Sequence, residues 1–229
     1  MSWKQSVLGQ SGLQFFGKMT ASISHELRNV FAVLNENAGL MEDLLLMSEK
    51  GTPMDPERLK SLARSMGKQI QRGDGIVDNM NRFAHEVDQP IRPVDLKETL
   101  GFWVALSARL ADMRGVKIDP VGGEKIIITT NPFFLENLLW CVVDFAMETV
   151  GKEKTVTVTS ERGETGIRIR FSGLENLEQT GRDEFPSEKE QALLESLKAD
   201  LSFNSNSEEM VITLPEKIHA VSGGPQIRK

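Results

Sequence analysis

The six residues Ser24-His25-Glu26-Leu27-Arg28-Asn29 are the part of this chain best equipped to do chemistry. A neutral imidazole keeps a lone pair on one ring nitrogen, which suits His25 to attack an electrophilic phosphorus. Glu26 is placed either to orient the ring or to accept its proton, and Arg28 to neutralise charge on an arriving phosphoryl group. On a helix, Arg28 and Asn29 share the face of His25. Ala21 and Ser22, one turn earlier, add little bulk, so a partner protein can come close. A lone exposed histidine on a helix is more often a tolerated surface residue, and residue types alone favour that plainer reading.

The element carrying these residues is legible from its period. Phe16, Thr20, Ile23, Leu27, Val30, Leu34, Asn37, Met41 and Leu44 alternate spacings of four and three, the seam of one long helix interrupted only by Thr20 and Asn37. In that register His25 is at position f, facing away from the seam. Gly51-Thr52-Pro53-Met54-Asp55-Pro56 breaks the pattern, with Asp55 placed to cap a second helix and Pro56 in its first turn. The second seam runs through Leu59, Leu62, Met66, Gln69, Gly73, Ile76, Met80, Phe83 and Val87, and Asp88-Gln89-Pro90 and Pro93 stop it. Two such stripes are not fully buried against each other, so two hairpins are expected to pair as a homodimeric four-helix bundle.

After Pro93 the periodicity changes. The spacing predicts a helix from Asp95 to about Met113, short strands at Val116–Ile118 and Lys125–Thr129, and an apolar helix from Pro132 to Val150. A hairpin of Thr155–Thr159 and Gly166–Phe171 follows, turning near Gly163; then a polar helix from about Ser187 to Leu201 and a last strand, Met210–Leu214. The segment Val221-Ser222-Gly223-Gly224-Pro225 reads as a frayed tail. The expected fold class is α+β: a helical hairpin over residues 1–92, an α/β sandwich over 93–217 and a tail over 218–229.

Composition narrows the function classes. Among 229 residues, 39% are hydrophobic and 26% charged, the make-up of a globular protein with its own core. The formal net charge of -6 argues against nucleic acid as a main partner. The single cysteine, Cys141, sits in an apolar run and reads as a core residue. The first residues lack the charged start and apolar run of a signal peptide, and no stretch approaches the ~20 apolar residues that span a bilayer. A cytoplasmic protein without membrane insertion is expected. His85 and His219 lack neighbours like those of His25, and surface roles are expected for both.

The residues 24–29 resemble the H-box of sensor histidine kinases, in their dimerisation and histidine-phosphotransfer hairpin. Ile76-Val77-Asp78-Asn79-Met80-Asn81-Arg82-Phe83-Ala84 and Pro93-Val94-Asp95-Leu96 resemble the end of that hairpin and its linker. The resemblance implies that His25 is the phosphoryl acceptor, Glu26 the acidic residue assisting proton transfer, and Asn29 the position tied to dephosphorylation of a response regulator. Val30 stands where the family usually has proline, which removes a helix kink beside the histidine.

The second half resembles the ATP-binding domain of the same family, with its binding motifs lost. Residues 134–147 resemble the helix bearing the N-box, and Phe145 occupies the place of the magnesium-binding asparagine; a phenyl ring offers a hard cation no oxygen. Asp144 would substitute only after a one-residue shift. Where the family has Asp-x-Gly-x-Gly, the chain reads Phe171-Ser172-Gly173-Leu174-Glu175-Asn176, and Pro186-Ser187-Glu188-Lys189-Glu190-Gln191 replaces the later glycine-rich stretch. The region for a nucleotide lid is short.

These readings lead to an expected histidine phosphotransferase that relays phosphoryl groups between response-regulator receiver domains through His25, with Glu26, Arg28 and Asn29 assisting. No cofactor is expected in this chain, and Mg2+ only in the partner receiver domain. The short stretch ahead of the histidine helix leads one to expect no sensor domain, with input through a partner. The alternatives are a non-enzymatic, pseudokinase-type module that sequesters a response regulator or kinase and, third, an ATP-dependent histidine kinase.

Overall fold

The computed structural model describes residues 3–175, 177, 185–204 and 207–218. They form an α+β fold of five helices and seven strands, in two compact units: residues 18–84, and residues 1–17 together with 85–229. His219, Asn176 and the tail from Val221 to Pro225 lie outside the described residues.

The first unit is a helical hairpin built from most of α1 (Trp3–Glu49) and α2 (Pro56–His85). Ile23, Val30, Asn37 and Leu44, seven residues apart, are all buried, as one heptad position facing a partner helix must be. Thr20, Leu27, Leu34 and Met41 are half-buried beside them. On α2, Leu62 and Phe83 are buried, and Leu59, Met66, Gln69, Gly73, Ile76 and Met80 are half-buried. The polar interruption Asn37 is satisfied inside the hairpin: its amide donates to the Ser65 hydroxyl at 3.1 Å and to the Val33 carbonyl at 2.9 Å. Helix α1 ends where Gly51 takes a left-handed backbone (φ +90°), with the Thr52 amide bonded to the Met47 carbonyl. Asp55 then caps α2, accepting from the Glu57 backbone amide at 2.9 Å.

Two seam residues differ from the heptad. Phe16 is exposed, whereas Phe15 and Met19 are buried. The first residues of α1 belong to the other unit, where Phe15 sets its ring edge-on to Phe133 at 5.6 Å, so a heptad set by the hairpin does not apply to them. Val87 lies beyond the end of α2 and is exposed.

In the second unit Asp95 caps α3 (Leu96–Asp112), accepting from the Lys97 amide at 3.0 Å, and Asn131 caps α4 (Pro132–Thr149), accepting from the Phe134 amide at 2.9 Å. The main sheet has the order β2-β4-β5-β7-β6, built from β2 (Lys117–Pro120), β4 (Thr155–Arg162), β5 (Ile167–Ser172), β7 (Glu209–Leu214) and β6 (Asp200–Asn204). Only β2 and β4 run parallel. Val156, Val158, Ile167, Ile169, Phe171, Met210, Ile212 and Leu214 are buried, one set per strand at a spacing of two. Trp103 of α3 meets Phe171 of β5 edge-to-face at 6.4 Å, which ties a helix to the buried face of the sheet.

Two strands escape the sequence reading. β1 (Arg92–Asp95) pairs antiparallel with β3 (Ile127–Thr130), although Pro93 reads as a breaker; with a single neighbouring strand, proline can keep the side without an N–H away from the ladder. The polar helix, α5 (Glu188–Leu197), stops four residues short of the expected Leu201. Lys198 adopts a left-handed cap (φ +51°), the Ala199 amide bonds the Leu194 carbonyl at 2.8 Å, and Leu201 lies in β6 opposite Ile212. Leu193, Leu197 and Leu201 share a helical spacing, which hides the strand. Among the described residues no helix is long and apolar enough to cross a membrane.

Candidate functional site

The hairpin fixes the direction of His25. With Ile23 and Val30 held inside, the residues within two turns and about 60° of His25 around the helix are Lys18, Ala21, Ser22, Arg28, Asn29 and Ala32. His25, Ala21, Arg28, Asn29 and Ala32 are all exposed, so the ring stands on an open face between small alanines, with a guanidinium and an amide at its sides. Among the described residues His25 takes no hydrogen bond or ion pair, which leaves both ring nitrogens accessible. Ser22 departs from the expected outward face: it is buried on the side turned toward Glu26, because the hairpin interior covers more of α1 than two seam positions. The Ser24 hydroxyl bonds the Thr20 carbonyl at 2.9 Å, holding the helix in the turn before His25.

Glu26 lies about 100° around the helix from His25 and is half-buried. Its carboxylate is 3.8 Å from the Arg72 guanidinium of α2, a partner the sequence reading did not identify. Thus His25, Arg28 and Asn29 come together on one exposed face, while Glu26 sits at its margin and is tied to the second helix. Val30, at the place of the family's proline, is buried in the seam of an α1 that runs unbroken from Trp3 to Glu49. His85, near the end of α2, bonds Asp88 at 2.7 Å and is exposed.

In the second unit Phe145 of α4 stacks on Phe185 with centroids 4.4 Å apart and an interplanar angle of 6°. Phe203 of β6 meets both rings edge-on, at 6.3 Å and 6.4 Å. Helix α4, strand β6 and the segment before α5 thus fill with carbon the place where the resemblance puts a cation ligand. Asp144, next to Phe145 in sequence, is held at 2.8 Å by Arg114, whose guanidinium also bonds the Asp144 carbonyl. Gly173 has a structural reason to be glycine: at φ +91° a Cβ would stand 2.6 Å from the Thr155 carbonyl oxygen. Glu190, within the segment that replaces the glycine-rich stretch, accepts from the Ser187 amide at 3.0 Å and is paired with Lys189 at 3.0 Å. Burial works against the charge of Glu190, but the Ser187 hydrogen bond and Lys189 hold its carboxyl below the ordinary value. Burial pushes the Cys141 thiol up to about 12.

No family model and no curated protein matches the chain. Similar solved structures are of histidine kinases. The histidine kinase AdeS of Acinetobacter baumannii is 14% identical at a TM-score of 0.45, over 84% of this chain and 98% of that one. The ATP-binding domain of PrrB from Mycobacterium tuberculosis is 16% identical at 0.43, over 56% of this chain and 98% of that one. Histidine kinase ThkA, solved in complex with the response regulator TrrA, is 17% identical at 0.45, over 89% of this chain and 63% of that one. Likeness at these identities and scores assigns no activity to this chain.

Proposed function

We propose that this chain is a histidine phosphotransfer protein of a two-component relay, taking phosphoryl groups from one response-regulator receiver domain and passing them to another through His25, without ATP. The observation that carries the reading is the exposed, unengaged imidazole of His25 beside Arg28 and Asn29, on a helix whose opposite side is locked by Ile23 and Val30. A ring nitrogen attacks the phosphorus of a receiver's aspartyl phosphate, the P–O bond to the carboxylate breaks, and the carboxylate leaves with the electron pair. Glu26 takes the proton released by the ring, and Arg28 balances charge on the phosphoryl oxygens. Positioning and charge neutralisation supply the catalysis. The Mg2+ of the reaction belongs to the receiver's acidic site.

The residues of the second unit do not fit a magnesium nucleotide. Phe145 is packed between two other rings, Asp144 is committed to Arg114, and the entrance of α5 is acidic at Glu188 and Glu190. A second copy of the chain completes the first unit. Phe31, Leu45, Ile70 and Val77 remain exposed beside the seams although they are large and apolar, a wider stripe than one hairpin covers. A homodimeric four-helix bundle buries it.

The test is incubation with a receiver charged on its aspartate. The wild-type chain should acquire acid-labile, alkali-stable phosphate and discharge it to a second receiver, and His25→Gln should abolish both steps. Receiver binding with no phosphate uptake, and equal for His25→Gln, would replace the relay by a sequestering module.

A further inference from the structure

The first residues of α1 are clustered with the α/β unit and not with the hairpin that the rest of the helix builds. Their contacts run along α4 and α5. The Asn137 amide donates to the Ser11 hydroxyl at 2.9 Å, and both residues are almost fully buried, at 2% and 3% exposure. Phe15 meets Phe133 edge-on, and the Lys4 ammonium pairs with Glu195 at 2.8 Å. Gly12 permits the approach: a Cβ there would lie 3.2 Å from the Phe133 ring, and any longer side chain would collide with it.

Two observations argue that this contact is separable. Gly9, Gly12 and Gly17 fall within fifteen residues, each weakening the helix relative to alanine, so the segment draws much of its helical order from what it packs on. The fit is also incomplete. A cavity of about 350 Å³ lies between the segment and the start of α5, lined by Val7, Gln10, Ser11 and Gln14 on one side and Ser187 and Lys189 on the other. The geometry points to residues 3–17 being a detachable strap, helical while docked on α4 and α5, that leaves as a unit and uncovers the Asn137–Cys141 stretch of α4.

The strap covers a built-in reporter. Cys141 is the only cysteine of the chain, and its thiol sits 3.8 Å from the Asn137 side-chain oxygen, one turn along α4. Lys189, which lines the cavity together with Ser11, lies within electrostatic reach of Cys141. A reagent admitted by departure of the strap therefore reaches the thiol from the cavity side. This inference stands apart from the phosphotransfer reading, because no step of it involves His25.

The full-length chain is treated with an aromatic disulfide reagent, and the rate at Cys141 is compared between wild type, Gly12→Leu and Leu13→Ser. Leu13 lies in the strap but is exposed, and serves as the control. Gly12→Leu is expected to speed modification at least tenfold with its circular dichroism otherwise retained, and Leu13→Ser to leave the rate unchanged. In parallel, amide hydrogen exchange on the wild type should show residues 3–17 exchanging as a group at least tenfold faster than residues 19–44 of the same helix. A folded Gly12→Leu chain with the wild-type thiol rate, or uniform protection along all of α1, would overturn the proposal. Should Gly12→Leu fail to fold, the exchange profile of the wild type decides alone.

Discussion

Replacing Phe145 by asparagine supplies the residue type that the resembled kinase domain uses to hold magnesium, and the packing around it argues that the change costs stability and confers no nucleotide binding. Truncating a fully buried phenylalanine costs about 3–5 kcal/mol. Phe145 is half-buried, so about half of that applies, and the stack on Phe185 is a pair of the kind that contributes ~0.5–1.5 kcal/mol beyond area. The new amide sits at a half-exposed position where water reaches it, which spares the larger cost of a buried unsatisfied polar group. The sum is a loss of about 3 kcal/mol. Urea denaturation followed by tryptophan fluorescence reads it, because Trp103 and Trp140 are both buried in this unit. Calorimetry with ATP and magnesium should detect no binding by wild type or by Phe145→Asn, since residues 171–176 and 186–191 still lack the Asp-x-Gly-x-Gly and glycine-rich segments of the resembled domain. A variant within about 0.5 kcal/mol of wild type would refute the packing argument, and micromolar nucleotide binding by the wild type would refute the filled site.

Three further outcomes follow from the same geometry. Gly173→Ala must place a Cβ 2.6 Å from the Thr155 carbonyl oxygen at a left-handed φ, and should cost at least about 2 kcal/mol in urea denaturation. The Cys141 thiol is held protonated to about 12 in the folded chain, against 9.0 for an ordinary thiol. Its contribution to stability is therefore complete below pH 9 and lost as pH rises toward 12. From pH 8 to pH 10 the wild type should lose on the order of 1 kcal/mol more than Cys141→Ala, and equal losses would contradict the burial. On the proposed homodimer, Phe31→Glu together with Leu45→Glu should give a monomer in sedimentation while leaving helix content intact, and a wild type that is itself monomeric would contradict the pairing.

The hairpin and its histidine were legible because one period governs both. The spacing that buries Ile23 and Val30 also turns His25 outward, and Asp55, Asp95 and Asn131 mark the helix starts they cap. What escaped the sequence depends on contacts between distant segments. Pro93 joins a strand through its pairing with Thr129, and Leu201 leaves a helical spacing for β6 because Ile212 lies opposite it. Phe16 leaves the expected seam because Phe133 and Asn137, more than a hundred residues away, receive Phe15 and Ser11 instead. The link from Arg72 to Glu26 and the stacking of Phe145 on Phe185 likewise join residues no local pattern relates.

The most direct test of the phosphoryl-transfer claim is site-mapped phosphorylation. After exchange with an aspartyl-phosphate receiver, tandem mass spectrometry under alkaline conditions should place a phosphoramidate on residue 25 and on neither His85 nor His219. Phosphate on another histidine, or no phosphate on a chain that binds the receiver, would contradict it.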